Sequence, residues 1–228
     1  MKLIRRIIRF ILLIIIIVIL VYIGIGYKMY KDALKDLPIE EKIASIKKEK
    51  NYTYYDELPK TYIDAVIAVE DHRFFKHKGV DYIAIIRAIY NDIRNKELIE
   101  GGSSITQQLC KNIYFNQNRK LSRKIAETFM ALKIERECSK EDIFELYVNT
   151  SYFGDGYYCI GDASEGYFNK KPIDMNIYEC TLLAGVPNAP SIYAPTKNLD
   201  LAEQRQRQVI NKMVDYGYLT VEAADNIK

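Results

Sequence analysis

Residues 70–79 (EDHRFFKHKG), 101–109 (GGSSITQQL) and 119–127 (RKLSRKIAE) form the stretch around which the chain is organised. Glu70 and Glu127 bracket a loop of glycines and hydroxyl side chains and a cluster of lysines and arginines. Glycine lets a ligand approach the backbone closely, and arginine offers a two-pronged fork to phosphate oxygens. The stretch therefore predicts a site for a phosphorylated, hydroxyl-rich substrate.

Helical patterns surround this stretch. Pro59 suits the first turn of a helix, and Ile63, Val66 and Glu70 follow at helical spacing, which places Glu70 near the end of that helix. Further helices are predicted over residues 80–94, 119–137, 139–148, 174–185, 199–216 and 220–228; residues 149–172 are rich in turns, and residues 52–55 are a candidate short strand. No stretch shows sustained strand alternation, so the predicted fold class is mainly α.

A long apolar segment lies near the N-terminus. From Phe10 to Ile25 there is no charged residue, and about 18 apolar residues on a helix reach roughly 27 Å, close to the hydrocarbon thickness of a bilayer. Arg5, Arg6 and Arg9 precede it, which predicts a cytoplasmic N-terminus. The alternative is a cleaved signal peptide, but residues 24–26 (GIG) are a poor cleavage site. We expect an uncleaved anchor with the rest of the chain outside the cytoplasm.

These features predict a basic tip and single transmembrane helix over residues 1–27, a juxtamembrane stalk over residues 28–51 and one folded domain over residues 52–228. Four of the 33 Lys and Arg residues precede the apolar segment, which leaves 29 cations against 30 anions beyond it. This near-neutral balance argues against a nucleic-acid binder. The four cysteines have no CxxC spacing and the chain has two histidines, so we expect no metal site and buried thiols rather than disulfides.

Two interpretations compete for the charged residues. Arg119, Arg123 and Glu127 share one helix face with Lys124 one step round, which is typical of a solvated face with ion pairs but also suits a clamp for phosphate oxygens. Lys111 and the glycine-hydroxyl loop upstream favour the clamp. Glu70 suits either a buried helix end or a general base that takes a proton from a sugar hydroxyl.

The ordered motifs EDHRFFKHKG, GGSSITQQLCKN, RKIAE and SKEDIFELYVN resemble the signature of family 51 glycosyltransferases. These are the peptidoglycan glycosyltransferase (transglycosylase) domains of class A penicillin-binding proteins and their monofunctional relatives. SYFGDGYY, EGYFNKK and LLAGVPNAPSIYAPTKN also fit, so the resemblance covers about residues 52–216. It implies a lysozyme-like helical domain, partly sunk in the outer leaflet, that joins lipid II into β-1,4 glycan strands and releases undecaprenyl pyrophosphate.

The resemblance also implies roles for single residues. Glu70 matches the general base, and Glu127 matches a second carboxylate that assists pyrophosphate departure or holds the cations. The positions that match donor-site residues are Lys111, Arg119, Arg123 and Lys124 for the pyrophosphate and Ser103, Thr106 and Gln107 for the polar loop. Departures from the family pattern are Ser104 for Thr, Asp142 for Glu, and Cys159 and Asp162 for Gly and Ala.

Two other functions use similar residues. A lytic, lysozyme-type enzyme also needs a glutamate in a helical cleft, but it has no pyrophosphate for a cation cluster to bind. A non-catalytic cell-wall scaffold does not need the glutamate pair. The expected partners are the membrane, lipid II, the growing glycan strand and other cell-wall synthesis proteins. We expect that no cofactor is required; whether a divalent cation helps to bind the pyrophosphate is left open by the sequence. No Lys-Thr-Gly follows the Ser45-Ile46-Lys47-Lys48 match, so we expect no transpeptidase activity.

Overall fold

The computed structural model describes residues 2–95, 101–115 and 120–227, and within them every regular element is helical. This confirms the mainly α prediction. The helices are α1 (Lys2–Asp36), α2 (Ile39–Ile46), α3 (Lys60–Glu70), α4 (Tyr82–Asn95), α5 (Ile105–Tyr114), α6 (Leu121–Glu137), α7 (Lys140–Val148), α8 (Ile160–Phe168), α9 (Ile177–Gly185), α10 (Pro190–Tyr193), α11 (Leu199–Asp215) and α12 (Val221–Asp225).

Two groups of packed helices build the core. In one group α3, α9 and α11 contact each other, and in the other α5 contacts α6 and α7. Phe74, which follows α3, is fully buried and approaches Phe144 of α7 with ring centroids 6.3 Å apart. Because apolar burial is the main stabilising term in folding, this contact fixes the segment that follows α3 against α7, which in turn packs on α5.

The first turn of α5 is defined by a cap. Ser104 Oγ accepts a hydrogen bond from the Gln107 backbone at 3.1 Å, and Gln107 Oε1 accepts one from the Ser104 backbone at 3.2 Å. This reciprocal pair is a capping box. Residues 105–114 therefore form a helix that the sequence patterns did not predict. Ser139 and Asp142 form the same kind of box at the start of α7.

Part of the segment predicted as a juxtamembrane stalk packs into the core. Ile39 and Ile46 of α2 are buried in the core, and Ile43 packs against it. These residues recur at helical spacing and form an apolar stripe, which the charged run at residues 47–50 obscures in the sequence. The core therefore includes α2, and α1 continues past residue 27 to Asp36, with Tyr30, Ala33 and Leu34 packed against the core. Two further differences are local: residues 52–55 contain no strand, and α8 lies within the turn-rich segment.

The apolar helix α1 packs directly on α6. Its length and composition suffice to cross a membrane, and none of its most apolar window is buried in the protein. Towards the C-terminal end of α1, two aromatic rings contact Phe129 of α6. The ring centroid of Tyr27 lies 5.3 Å from that of Phe129, and the ring centroid of Tyr30 lies 5.9 Å from that of Phe129. Helix α1 therefore has the character of a membrane anchor in its apolar part and packs on α6 through Tyr27 and Tyr30.

Gly26 allows this close approach. A Cβ atom at Gly26 would lie 2.6 Å from Ile125 Cγ2 and 2.8 Å from the Ser122 carbonyl oxygen, whereas a Cβ at Gly24 would meet nothing within 4 Å. We expect Gly26→Leu to separate α1 from α6 and to lower Tm by roughly 5 °C, since overpacking costs about 1–3 kcal/mol. Gly24→Leu gains the same helix propensity without the clash and is the control. Equal Tm values for the two variants in detergent would contradict this contact.

Candidate active site

A cleft of about 1030 Å³ opens where α3 ends, between α5 and α6 on one side and α11 on the other. This volume lies at the upper end of the range of ligand pockets, so the cleft has room for a large ligand. Of the residues predicted from the sequence, those that line it are Glu70, Ser103, Gln107, Lys111, Arg123, Lys124 and Glu127. The fold thus brings together side chains that are separated by up to 57 positions in the chain.

Glu70 is the last residue of α3 and is held by one of its two oxygens. Gln108 Nε2 donates a hydrogen bond of 2.7 Å to Glu70 Oε2. Glu70 Oε1 is buried and has no hydrogen-bond partner among the residues that the structure describes. The side chain is 11% exposed and faces the cleft. An oriented carboxylate with one unused oxygen is suited to accept a proton from a bound hydroxyl.

Asp71, next to Glu70, has a structural contact instead. Asp71 Oδ2 accepts a hydrogen bond from the backbone of Ile105 at 3.0 Å and lies 2.8 Å from His77 Nε2. The carboxylate therefore joins the end of α3 to the first turn of α5, where a negative charge also favours the helix dipole. Both acids border the cleft, but both oxygens of Asp71 contact His77, whereas Glu70 Oε1 has no hydrogen-bond partner among the described residues. The alternative of a buried, paired acid therefore applies to Asp71.

Glu127 holds two cations of α6 in place. It is 1% exposed; Arg123 pairs with its Oε1, and Lys124 Nζ lies 3.1 Å from its Oε2. Lys124 also donates a hydrogen bond to Ser103 Oγ, which ties the glycine-hydroxyl loop to α6. Both carboxylate oxygens of Glu127 are therefore engaged in ion pairs with cations that line the cleft.

Lys111 of α5 completes the positive wall of the cleft. Burial lowers the pKa of its ammonium; the carboxylate of Glu127 opposes this effect, and Arg123 and Lys124 add to it. A group of cations that repel one another and are only partly neutralised attracts an anion such as a pyrophosphate.

The lowered pKa predicts a pH dependence for anion binding. As pH rises, Lys111 loses its proton before an ordinary lysine does, so the affinity for a prenyl pyrophosphate is expected to fall at alkaline pH. Lys111→Arg stays charged and is expected to move this fall to higher pH. Lys133→Arg, at a partly exposed lysine on α6 outside the cleft, is the control. Identical alkaline profiles for wild type and Lys111→Arg would contradict the assignment.

Two predicted donor-site residues are placed differently from expectation, and a third lies outside the described residues. Thr106 is fully buried on α5 and donates to Glu135 Oε1 at 2.6 Å, so it does not reach the cleft. Gln107 borders the cleft but is 2% exposed; it caps α5 and donates to Thr128 Oγ1 at 3.1 Å. Residues 101–104 form a loop, but from Ile105 onward the predicted loop is in fact the first turn of α5. Neighbouring side chains on a helix point in different directions, so Thr106 faces the core while Gln107 reaches the edge of the cleft. Arg119 is the predicted residue outside the described ranges.

The opposite wall of the cleft was not predicted. Arg205, Gln208 and Lys212 lie at i, i+3 and i+7 on α11 and line the cleft. Beyond them, Tyr216 stacks on His72 with ring centroids 4.2 Å apart and planes 8° apart. The spacing that puts these side chains on one face was available in the sequence, but a polar helix face is normally solvated and no motif distinguishes this one.

Comparison with known proteins shows the family to which the chain belongs. The model of the transglycosylase family matches residues 39–214. Penicillin-binding protein 1F of Bacillus subtilis is 42% identical over 169 residues, which is 74% of this chain and 24% of that protein. Penicillin-binding protein 1A of Aquifex aeolicus is 41% identical over 171 residues, or 75% of this chain and 24% of that protein.

A shorter relative matches over most of both lengths. A Cupriavidus necator protein that bears the name transglycosylase is 35% identical over 188 residues, which is 82% of this chain and 81% of that protein. The chain spans about a quarter of the length of the two penicillin-binding proteins above. Because the family match covers α2 to α11 and includes every described cleft residue discussed above except Tyr216, the chain belongs to the transglycosylase family.

Proposed function

We propose that this chain is a peptidoglycan glycosyltransferase that polymerises lipid II into β-1,4-linked glycan strands for the bacterial cell wall. The observation that carries the proposal is that one cleft holds both a carboxylate with an unused oxygen, Glu70, and a cluster of cations, Lys111, Arg123 and Lys124. Transfer from a lipid pyrophosphate needs both groups, a base for the acceptor and positive charge for the leaving group.

In the proposed reaction, Glu70 Oε1 accepts the proton of the acceptor sugar's 4-hydroxyl as that oxygen attacks the anomeric carbon of the donor. The new glycosidic bond forms while the bond between the anomeric carbon and the phosphate oxygen breaks, and its electron pair leaves with the pyrophosphate. Attack from the face opposite the leaving group turns the α-linked phosphate into a β-glycoside. The hydrogen bond from Gln108 keeps the carboxylate in the orientation that this step needs.

The cations on α5 and α6 stabilise the departing pyrophosphate. Negative charge builds on that group in the transition state, and fixed charges are most effective when they need not reorganise. Glu127 supplies this rigidity because it is buried and paired with both Arg123 and Lys124. We therefore assign Glu127 the second of the two roles that the family resemblance allows, that of holding the cations.

The side-chain cations are proposed to neutralise the pyrophosphate without a resident metal ion. Among the described residues, no group of three or more His, Cys, Asp or Glu side chains is arranged to hold one. Polymerisation is expected to continue in EDTA; an activity that EDTA abolishes and Mg²⁺ restores would show instead that a divalent ion bridges the pyrophosphate oxygens.

The proposed location is the cell membrane, with the N-terminus in the cytoplasm and the cleft outside. Arg5, Arg6 and Arg9 precede the apolar part of α1 and support this orientation. On α4, the side chains of Tyr82, Ile83 and Ile86 are 62%, 56% and 69% exposed and form an apolar face. Since exposed apolar patches mark interaction or membrane surfaces, this face supports a domain that dips into the outer leaflet, where a lipid-linked substrate is confined.

Incubation of the purified full chain with lipid II tests the proposal. We expect a ladder of glycan polymer on a gel, and no release of soluble fragments from finished cell wall. A phosphoglycolipid inhibitor of the moenomycin type, which the family resemblance implies should bind, is expected to abolish the ladder. Fragments from cell wall without polymer would favour the lytic alternative, and neither product would favour the scaffold.

A further inference from the structure

The base Glu70 faces a second charged side chain that belongs to neither the clamp nor the family motifs quoted above. Arg205 of α11 places its Nη2 atom 3.9 Å from Glu70 Oε1, and the two side chains are 14% and 11% exposed. This distance is too long for a hydrogen bond. Arg205 Nε and Glu70 Oε1 are both buried without a hydrogen-bond partner among the described residues.

A purely structural ion pair does not account for this gap. Other partly buried pairs of the chain are in hydrogen-bonded contact: Lys140 Nζ lies 2.7 Å from Glu135 Oε1, and Lys170 Nζ lies 2.7 Å from Glu179 Oε1. An unsatisfied buried polar atom costs free energy, and such exceptions are a reason to look for a missing partner. Here the atoms border the cleft, so a bound substrate is the natural partner.

The surrounding fold holds Arg205 in this position. A Cβ atom on Gly185, the last residue of α9, would lie 2.8 Å from Arg205 Cγ, so the absence of a side chain there makes room for the arginine. Gln206 Nε2 donates to the Tyr178 carbonyl at 2.9 Å and ties α11 to α9. Arg205 Nη1 donates to Gln208 Oε1 at 2.8 Å, which orients the guanidinium plane.

We propose that Arg205 is an acceptor-binding residue whose guanidinium donates a hydrogen bond to the same hydroxyl oxygen that Glu70 deprotonates. Two hydrogen bonds of about 2.8 Å that meet at one oxygen can span the 3.9 Å between Nη2 and Oε1. The hydroxyl gives its proton to Glu70, one of its lone pairs accepts from Arg205, and the other attacks the anomeric carbon. The proposal rests on the glycosyl transfer proposed above and adds the residue that aligns the nucleophile.

The alignment has a measurable consequence. Correct placement of a nucleophile lowers the barrier of the chemical step, so we expect Arg205→Ala to lower the single-turnover rate of transfer between lipid-linked substrates about 100-fold. Arg205→Lys keeps the charge but not the planar fork and is expected to recover part of that loss. The Kd of a moenomycin-type phosphoglycolipid, which reports on the cation clamp, should stay within about twofold of wild type.

Two further variants separate alignment from general stability. Gly185→Ala keeps the arginine but displaces its stem, and we expect a loss of about tenfold in transfer with unchanged inhibitor binding. Arg207→Ala, at an exposed arginine two positions away on α11, is the matched control and should behave as wild type. Should Arg205→Ala fail to fold, Arg205→Lys and Gly185→Ala still test the alignment.

Polymer formation by the wild type establishes the proposed function independently, so its absence would refute that function rather than this inference. With an active wild type, an unchanged transfer rate in Arg205→Ala would overturn the inference. So would parallel losses of transfer, inhibitor binding and Tm across the Arg205 and Gly185 variants, because they would show a structural role.

Discussion

Glu70→Gln is expected to reduce lipid II polymerisation by about 10³-fold, because general-base catalysis contributes roughly 10²–10⁴-fold. The amide has the shape of the carboxylate and can still accept the hydrogen bond from Gln108, so the fold should be retained. What it loses is the basic oxygen that takes the proton. The measurement is the single-turnover rate of glycan formation, together with Tm.

Asp64→Asn is the matched control for this variant. Asp64 lies on the same helix as Glu70, pairs with Lys60 and does not line the cleft, so its loss should leave transfer unchanged. Inhibitor binding by Glu70→Gln should match wild type because the cation clamp is intact. Full polymerisation by Glu70→Gln would refute the assigned base.

Glu127→Gln is expected to have the second largest effect, on both stability and activity. Removing one partner of a buried ion pair leaves an uncompensated charge and costs about 3–5 kcal/mol. Lys124 is 41% exposed and partly screened by water, whereas Arg123 is 13% exposed. We therefore expect a cost of about 3 kcal/mol, or a fall in Tm of roughly 6–12 °C. Polymerisation at a temperature where the variant is folded should fall at least about 100-fold, since the cations are no longer fixed.

Glu135→Gln separates these two effects. The side chain of Glu135, also on α6, is 6% exposed and pairs with Lys140, but it contacts Thr106 and does not line the cleft. The Glu135→Gln substitution should lower Tm about as much as Glu127→Gln does, while the folded protein keeps the wild-type rate of polymerisation. A bound pyrophosphate supplies negative charge beside Arg123 and Lys124, so it should raise Tm more in Glu127→Gln than in wild type. Wild-type Tm and rate in Glu127→Gln would contradict the positioning role.

Local patterns predicted those parts of the site that depend on neighbours in sequence. The end of α3 at Glu70 and the capped start of α7 follow from spacing and capping chemistry. The face shared by Arg123 and Glu127 follows from helical geometry. In each case the interacting groups lie within a few residues of one another, so the sequence carries the contact directly.

Other parts depend on contacts that no local pattern records. The role of Thr106 is decided by Glu135, 29 positions away, and the position of Arg205 relative to Glu70 is decided by the packing of α11 on α3 and α9. The burial of Ile39 and Ile46 likewise depends on distant core residues rather than on the charges beside them. Tertiary packing overrode the local expectation at each of these places.

The configuration of the bond that the enzyme makes tests the central claim most directly. Polymer formed by the full chain from lipid II should carry β-1,4 linkages, because a base at Glu70 and a leaving pyrophosphate on the opposite face require inversion. Digestion of the polymer with a muramidase specific for that linkage is expected to return it completely to disaccharide units. A polymer that resists this digestion, or polymer formed equally well by Glu70→Gln, would contradict the account.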